Sequence, residues 1–280
     1  MADAGLTHGD WLERVPALVS ECVEEWGLRL GEPYAAGAAG YVVRVQLPDG
    51  TPAVLKLIYP HREAEHEAAA LALWDGDGAV RLLAHDERRW AMVLERCEPG
   101  TLLARVEADA ALAVLIGLLP RLWRTRGVDA FRPLAEEAMW WVDDLPEQWE
   151  RNGRPFERRI LDAAVESLTT LSKSEGEQVL LHQDLHGDNV LAAQREPWLV
   201  IDPKPLAGER EFTVAPIVRD FEFGHSRRDV LHRLDRLTAE LGLDRDRARE
   251  WTIGQTIAWC FDTSYRDRHV ETVRWLLEAQ

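Results

Sequence analysis

Apolar and polar positions change rhythm along this chain, and the rhythm divides it. DWLERVPALVSECVEEWGL near the N-terminus repeats its apolar residues at helical spacing, which predicts an amphipathic helix. From Tyr41 the period drops to two: Tyr41, Val43, Val45 and Leu47 share one face, as in a strand. PDGT follows with an Asp-Gly turn, and AVLKLIY (53–59) reads as the returning strand of a hairpin. HREAEHEAAALALW (61–74) is rich in helix formers, and steps of four and three place Glu67, Leu71 and Trp74 on one stripe. Glu63 falls one turn earlier on the same stripe. WAMVLER (90–96) is a further strand that ends in the turn CEPG.

Beyond Thr101 the pattern is mainly helical, with helices expected over 108–123, 134–151 and 156–173 and several more after Val214. VLLH, NVLAA and PWLVID interrupt it as short strands. The expected architecture is therefore α+β, in two lobes with a cleft between them. Residues 1–96 form a small lobe of antiparallel sheet plus helix, and residues 97–280 a larger, mostly helical lobe.

Composition narrows the function. A formal charge of −16 argues against nucleic acid as a partner, because that binding is led by positive charge, and suits a cationic small molecule. No apolar run is long enough to span a bilayer, and the N-terminus lacks the pattern of a signal peptide. Cys22, Cys97 and Cys260 are odd in number and far apart, which points to reduced thiols in a cytoplasmic protein. A monomer is expected. There are three lysines against thirty arginines, and only two asparagines. Lys56 and Asn189 therefore stand out as retained choices.

The chemistry concentrates in LLHQDLHGDNVLAAQREPWLVIDPKP. Asp184, Asn189 and Asp202 give Asp-x4-Asn followed by a strand-borne Asp, the arrangement phosphoryl transfer requires. Asp184 would take the proton of an acceptor hydroxyl, while Asn189 and Asp202 would offer oxygen ligands to Mg2+. Lys56, on a strand, would hold nucleotide phosphates, with Glu67 or Glu63 fixing its ammonium. The backbone around Glu95 and Cys97 is a candidate for an adenine edge. Gly37 and Gly40 fit a phosphate-covering loop only loosely, and the chain has no GxxxxGK[ST] motif. His182 and His186 would suit Zn2+ if helical. Gly187, Asp188 and the strand-like flanks instead favour a loop that the histidines brace through backbone or Asp202. A GxSxG elbow is absent.

HQDLHGDN, VIDPKPLAGEREF, KLIYPHREAEHEAAALALW and AMVLERCEPGTLL together resemble the aminoglycoside phosphotransferase family, in its streptomycin 6-kinase and hydroxyurea kinase branch. The resemblance implies a protein-kinase-like fold that uses ATP and Mg2+, with Asp184 as catalytic base and Asn189 and Asp202 as metal ligands. Lys56 is then the phosphate-binding lysine and Glu67 its partner. Lys204 fits the branch pattern, to meet the γ-phosphate or pair with Glu209. The acceptor implied is a streptomycin-like aminoglycoside, with antibiotic resistance as the outcome. The alternatives are a glucosamine-type amino-sugar kinase, a hydroxyurea kinase and a nucleotide-binding pseudokinase. Asp144, Glu222 and Asp262 are the acidic candidates for a cationic or amino-sugar acceptor, alongside Asp143 and Asp267. WWVDD (140–144) and WCFD (259–262) set aromatic rings beside acids, a mix that suits such a site.

Overall fold

The computed structural model describes residues 7–34, 40–174, 176–261 and 263–279. Gly37 and Asp262 lie outside the described residues. The chain divides into two compact units. One runs up to Thr101 and regains the chain at Leu191–Lys204; the other comprises Leu102–Val190 and everything from Pro205 onward.

The first unit opens with α1 (His8–Trp26). Thr7 caps it in a reciprocal box with Asp10, and Gly27 ends it in the left-handed region at φ 61°. Its Trp11, Val15, Leu18, Val19 and Cys22 are buried against Val43, Val45, Leu55, Leu57 and Val93 of the sheet. Burial of each large apolar side chain contributes roughly 1.5–3 kcal/mol, so this face holds the helix in place. The sheet is antiparallel, ordered β1-β2-β3-β5-β4. Its strands are β1 (Arg29–Pro33), β2 (Gly40–Gln46), β3 (Pro52–Ile58), β4 (Leu82–Asp86) and β5 (Ala91–Glu95). The hairpin β2–β3 is paired without a slip from Gly40–Ile58 to Gln46–Pro52. β1 and β4 carry no regular alternation visible in the sequence: all five residues of β1 are exposed.

The helix expected over 61–74 is shorter. Arg62–Ala64 forms one 3-10 turn, and α2 starts only at Glu67 and ends at Trp74. The stripe survives, with Glu67, Leu71 and Trp74 all buried. The returning segment carries β7 (Val190–Ala192) and β8 (Trp198–Val200), which pair with each other. It is tied to the first unit by Val200 N–H to Gly78 O at 2.9 Å and Gly100 N–H to Ala192 O at 3.0 Å. Arg195 adds bonds to Gly76 O, Ala79 O and both carboxylate oxygens of Glu95. Asp202, which the sequence reading puts after residue 97 in the helical part, thus packs with the sheet.

The second unit is built from α3 (Ala108–Leu122), α4 (Leu134–Arg151), α5 (Arg158–Leu171), α6 (Ala215–Arg219), α7 (Arg227–Leu241), α8 (Arg245–Ala258) and α9 (Arg266–Leu277). Short strands β6 (Val179–Leu181) and β9 (Leu206–Gly208) pair antiparallel within it. In its core Trp141 stacks on Phe212, which meets Trp251 edge to face. Glu209 is buried there and accepts bonds from Arg247, the Trp251 indole and Gly176 N–H. No helix of the described residues is long and apolar enough to cross a membrane.

Candidate active site

In the first unit β3 presents Lys56 and α2 presents Glu67 from its first residue. The Lys56 ammonium donates to both oxygens of Glu67, at 2.7 and 2.8 Å, and to Asp202. Glu67 is 2% exposed. Burial opposes the lysine's charge, but the two carboxylates outweigh it and hold Lys56 above its usual pKa. Burial pushes Glu67 upward against the pull of Lys56. One cation therefore serves two carboxylates. The choice between Glu63 and Glu67 is settled by this contact, and Glu63 instead lies 3.9 Å from Lys204.

Asp202 adopts φ 58°, a region that costs a non-glycine residue on the order of 1–3 kcal/mol. The turn begins immediately after the buried strand pair Leu199–Val200 and precedes Pro203, so the strained backbone aims the carboxylate at Lys56. Glu95 closes β5 with its N–H committed to Arg81 O at 2.9 Å and its carboxylate to Arg195. Its side chain is thereby a structural tie. Cys97 is half-buried, and burial first, then Glu95, pushes its thiol up to about 12, so it stays protonated.

In the second unit β6 leads into the loop. Gln183 takes φ 65° and is 1% exposed; its carbonyl accepts from the Gln255 amide at 2.8 Å. This bond and the buried Leu185 fix Asp184 between them. The Asp184 N–H is shared between His182 O at 2.9 Å and His182 Nδ1 at 3.3 Å. The Asn189 side-chain N–H donates to Asp184 O at 2.8 Å, which turns its oxygen end away from that bond. Gly187–Asn189 forms a 3-10 turn, so the two histidines are not on a helix face and zinc ligation by helical spacing does not arise. His182 braces the loop, as expected.

His186 has a larger part. Its Nδ1 meets Glu222 at 2.9 Å, with Asp220 at 3.8 Å, while Nε2 lies 4.0 Å from Asp184. Burial opposes its charge, yet the Glu222 bond and the three carboxylates raise its pKa to about 9. Burial first, then Asp220, lifts Glu222 to about 7. Ligand atoms of His186, Asp220 and Glu222 lie within 4.8 Å of one another, a set able to hold a metal. The imidazolium itself supplies the positive charge these acids need. Gly187 is required for this approach: a Cβ there would sit 2.3 Å from Glu222 Oε2 and 2.8 Å from the backbone of Ala104.

Arg219, 7% exposed, reaches Asp184 at 3.5 Å and stacks over Trp259 at 4.4 Å. Trp259, offered by the sequence as a possible substrate platform, thus already carries an arginine. Sequence reasoning missed Arg219 and Asp220; the RD pair before FEF was their only signal, and it has no periodicity. Asp144 lies half-buried on α4 and makes no hydrogen bond or ion pair with Asp184, Asn189 or Glu222. Glu222 is the one acidic candidate among the described residues that the structure brings into the Asp184 neighbourhood.

The family described as aminoglycoside/hydroxyurea antibiotic resistance kinase matches residues 26–263. The chain belongs to that family. It is 41% identical to a hydroxyurea phosphotransferase from Kitasatospora aureofaciens, over 91% of this chain and 75% of the relative. It is also 41% identical to a streptomycin 6-kinase from Streptomyces griseus, over 88% of this chain and 82% of the relative. Among solved structures, a choline kinase from Streptococcus pneumoniae superposes with a TM-score of 0.65 at 14% identity, covering 95% of this chain and 99% of that one. An aminoglycoside phosphotransferase bound to ADP and hygromycin B gives 0.60 at 14%, covering 92% and 95%. The fold is protein-kinase-like, with an antiparallel-sheet unit and a helical unit, and the protein is a phosphotransferase.

Proposed function

We propose that this kinase transfers the γ-phosphoryl group of ATP to a hydroxyl of a streptomycin-like aminoglycoside, with antibiotic resistance as the outcome. The observation that carries the reading is the ion set on Lys56. A strand lysine locked to a helical glutamate, with an aspartate at a strand end, is the arrangement phosphoryl transfer uses to hold nucleotide phosphates. The acceptor follows from the streptomycin 6-kinase relatives and from charge. Asp184, Asp220 and Glu222 outnumber His186 and Arg219 in the second unit, and the whole chain is strongly acidic.

In this mechanism Asp184 orients the acceptor hydroxyl and takes its proton as the oxygen–phosphorus bond forms and the bond to ADP breaks. His182 and Asn189 hold its backbone, so little reorganisation remains for the reacting step. Lys56 binds the nucleotide phosphates. Asn189 offers an amide oxygen and Asp202 a carboxylate, each a ligand type that a hard cation takes, and Mg2+ would neutralise charge on the phosphates. Cys97, beyond the committed Glu95 N–H, is the adenine-edge candidate.

A hydroxyurea acceptor is the second reading, favoured by the equal identity to the hydroxyurea phosphotransferase. Coupled ADP release measured with streptomycin, hydroxyurea and glucosamine separates the readings. Streptomycin should give the highest kcat/KM; preference for either of the others would replace it. Tight ATP binding without turnover on any acceptor would indicate a pseudokinase.

A further inference from the structure

Arg233 stands in the second turn of α7 and is 2% exposed. A buried arginine normally answers a carboxylate, because an unpaired charge out of water is costly. This one is aimed at backbone. Its Nη1 donates to Phe223 O at 3.0 Å and Gly224 O at 2.9 Å; its Nη2 donates to Val218 O at 2.9 Å and Asp220 O at 2.7 Å. All four carbonyls belong to the stretch from the last turn of α6 to the start of α7. That stretch has no strand partner, and the last carbonyls of a helix lack intrahelical donors. One guanidinium therefore does for 218–224 what a hydrogen-bonded ladder does elsewhere.

The same stretch carries Arg219, Asp220 and Glu222, the side chains that meet Asp184 and His186. It is tightly bounded. Glu222 and Phe223 press on Gly187, and a Cβ on Gly224 would meet Asp229 at 2.9 Å. We propose that Arg233 is a positioning residue: by holding the 218–224 backbone it sets the charges around Asp184 that receive a cationic acceptor. This rests on the reading of Asp184 as the acceptor-side base. The planar fork matters, since a lysine ammonium offers its donors from a single point and cannot span four carbonyls.

R233K and R233M, compared with wild type, test it. Amide hydrogen exchange over 218–224 should accelerate in both variants while the β2–β3 hairpin keeps its protection. Nucleotide affinity should be unchanged, and kcat/KM for the acceptor should fall about a hundredfold in R233M, mostly through KM, with R233K intermediate. Unchanged exchange over 218–224 overturns the proposal. So does an equal loss of nucleotide and acceptor binding, which would mark a general loss of structure; R233K decides this should R233M fail to fold. If wild-type protein phosphorylates no acceptor, the functional reading falls, and exchange still decides whether Arg233 holds the segment.

Discussion

The first unit gathers carboxylates around the Lys56 ammonium and the second gathers charges around the Asp184 carboxylate, and they do so by different means. Around Lys56 the partners sit on regular elements: a strand, the first residue of a helix, and a strand end. Around Asp184 all but Arg219, which ends α6, sit on irregular backbone, and the regularity is replaced by other devices. Gln183 is forced to φ 65°, Gly187 leaves room for Glu222, and buried Arg233 satisfies four carbonyls between Val218 and Gly224. Regular elements carry Lys56 and Glu67, and backbone strain there is confined to Asp202. Irregular backbone can gather five charged side chains, Asp184, His186, Arg219, Asp220 and Glu222, in a space no single helix face offers. The first arrangement suits an invariant ligand such as nucleotide phosphate, and the second a family in which the acceptor varies.

The comparison breaks most visibly at its two centres. D184A should lower kcat by about three orders of magnitude or more, since in the proposed mechanism it removes the base, while nucleotide affinity stays at the wild-type level in a binding titration. K56M should give the opposite signature, with nucleotide affinity lost. It also leaves Glu67 buried without its cation, for which a loss of about 3–5 kcal/mol in denaturant unfolding is expected. G187A tests the irregular side: the added methyl must displace Glu222 or Phe223, costing about 1–3 kcal/mol and raising acceptor KM more than it alters nucleotide binding.

A further effect is on pH dependence. His186 is held at about 9 against 6.5 in the unfolded chain, so its stabilisation is complete below pH 6.5 and is lost as pH rises through 9. That amounts to on the order of 3 kcal/mol. His269 has the reverse sign. Burial, then Arg219, lowers it to about 3, so stability falls as pH drops below 6.5 toward that value. Unfolding midpoints should fall between pH 6.5 and 9, and H186Q should flatten that limb.

These differences explain what the sequence made legible. The hairpin, the Glu67–Leu71–Trp74 stripe and α4 were readable because each repeats with a period. The Lys56–Glu67 pair followed, since their elements fixed where they point, whereas the bond from Lys56 to Asp202 was not foreseen. β1 was not readable: with all five residues exposed, backbone pairing with β2 rather than any apolar face makes it a strand. The helix over 61–74 was read too long, because helix formers at 62–66 cannot show that the chain makes only a 3-10 turn there. Arg219, Asp220 and Arg233 were invisible for a related reason. Their partners are loop carbonyls and carboxylates far away in sequence, and no spacing announces such bonds.

Mass analysis of the product tests most directly whether Asp184 acts on an acceptor hydroxyl. Wild-type protein incubated with ATP, Mg2+ and streptomycin should yield antibiotic carrying one added phosphoryl group with matching ADP release. D184A, shown to bind nucleotide normally, should yield none. Phosphorylated product from D184A at the wild-type rate would contradict the account, as would a wild-type protein that releases no ADP with streptomycin, hydroxyurea or glucosamine.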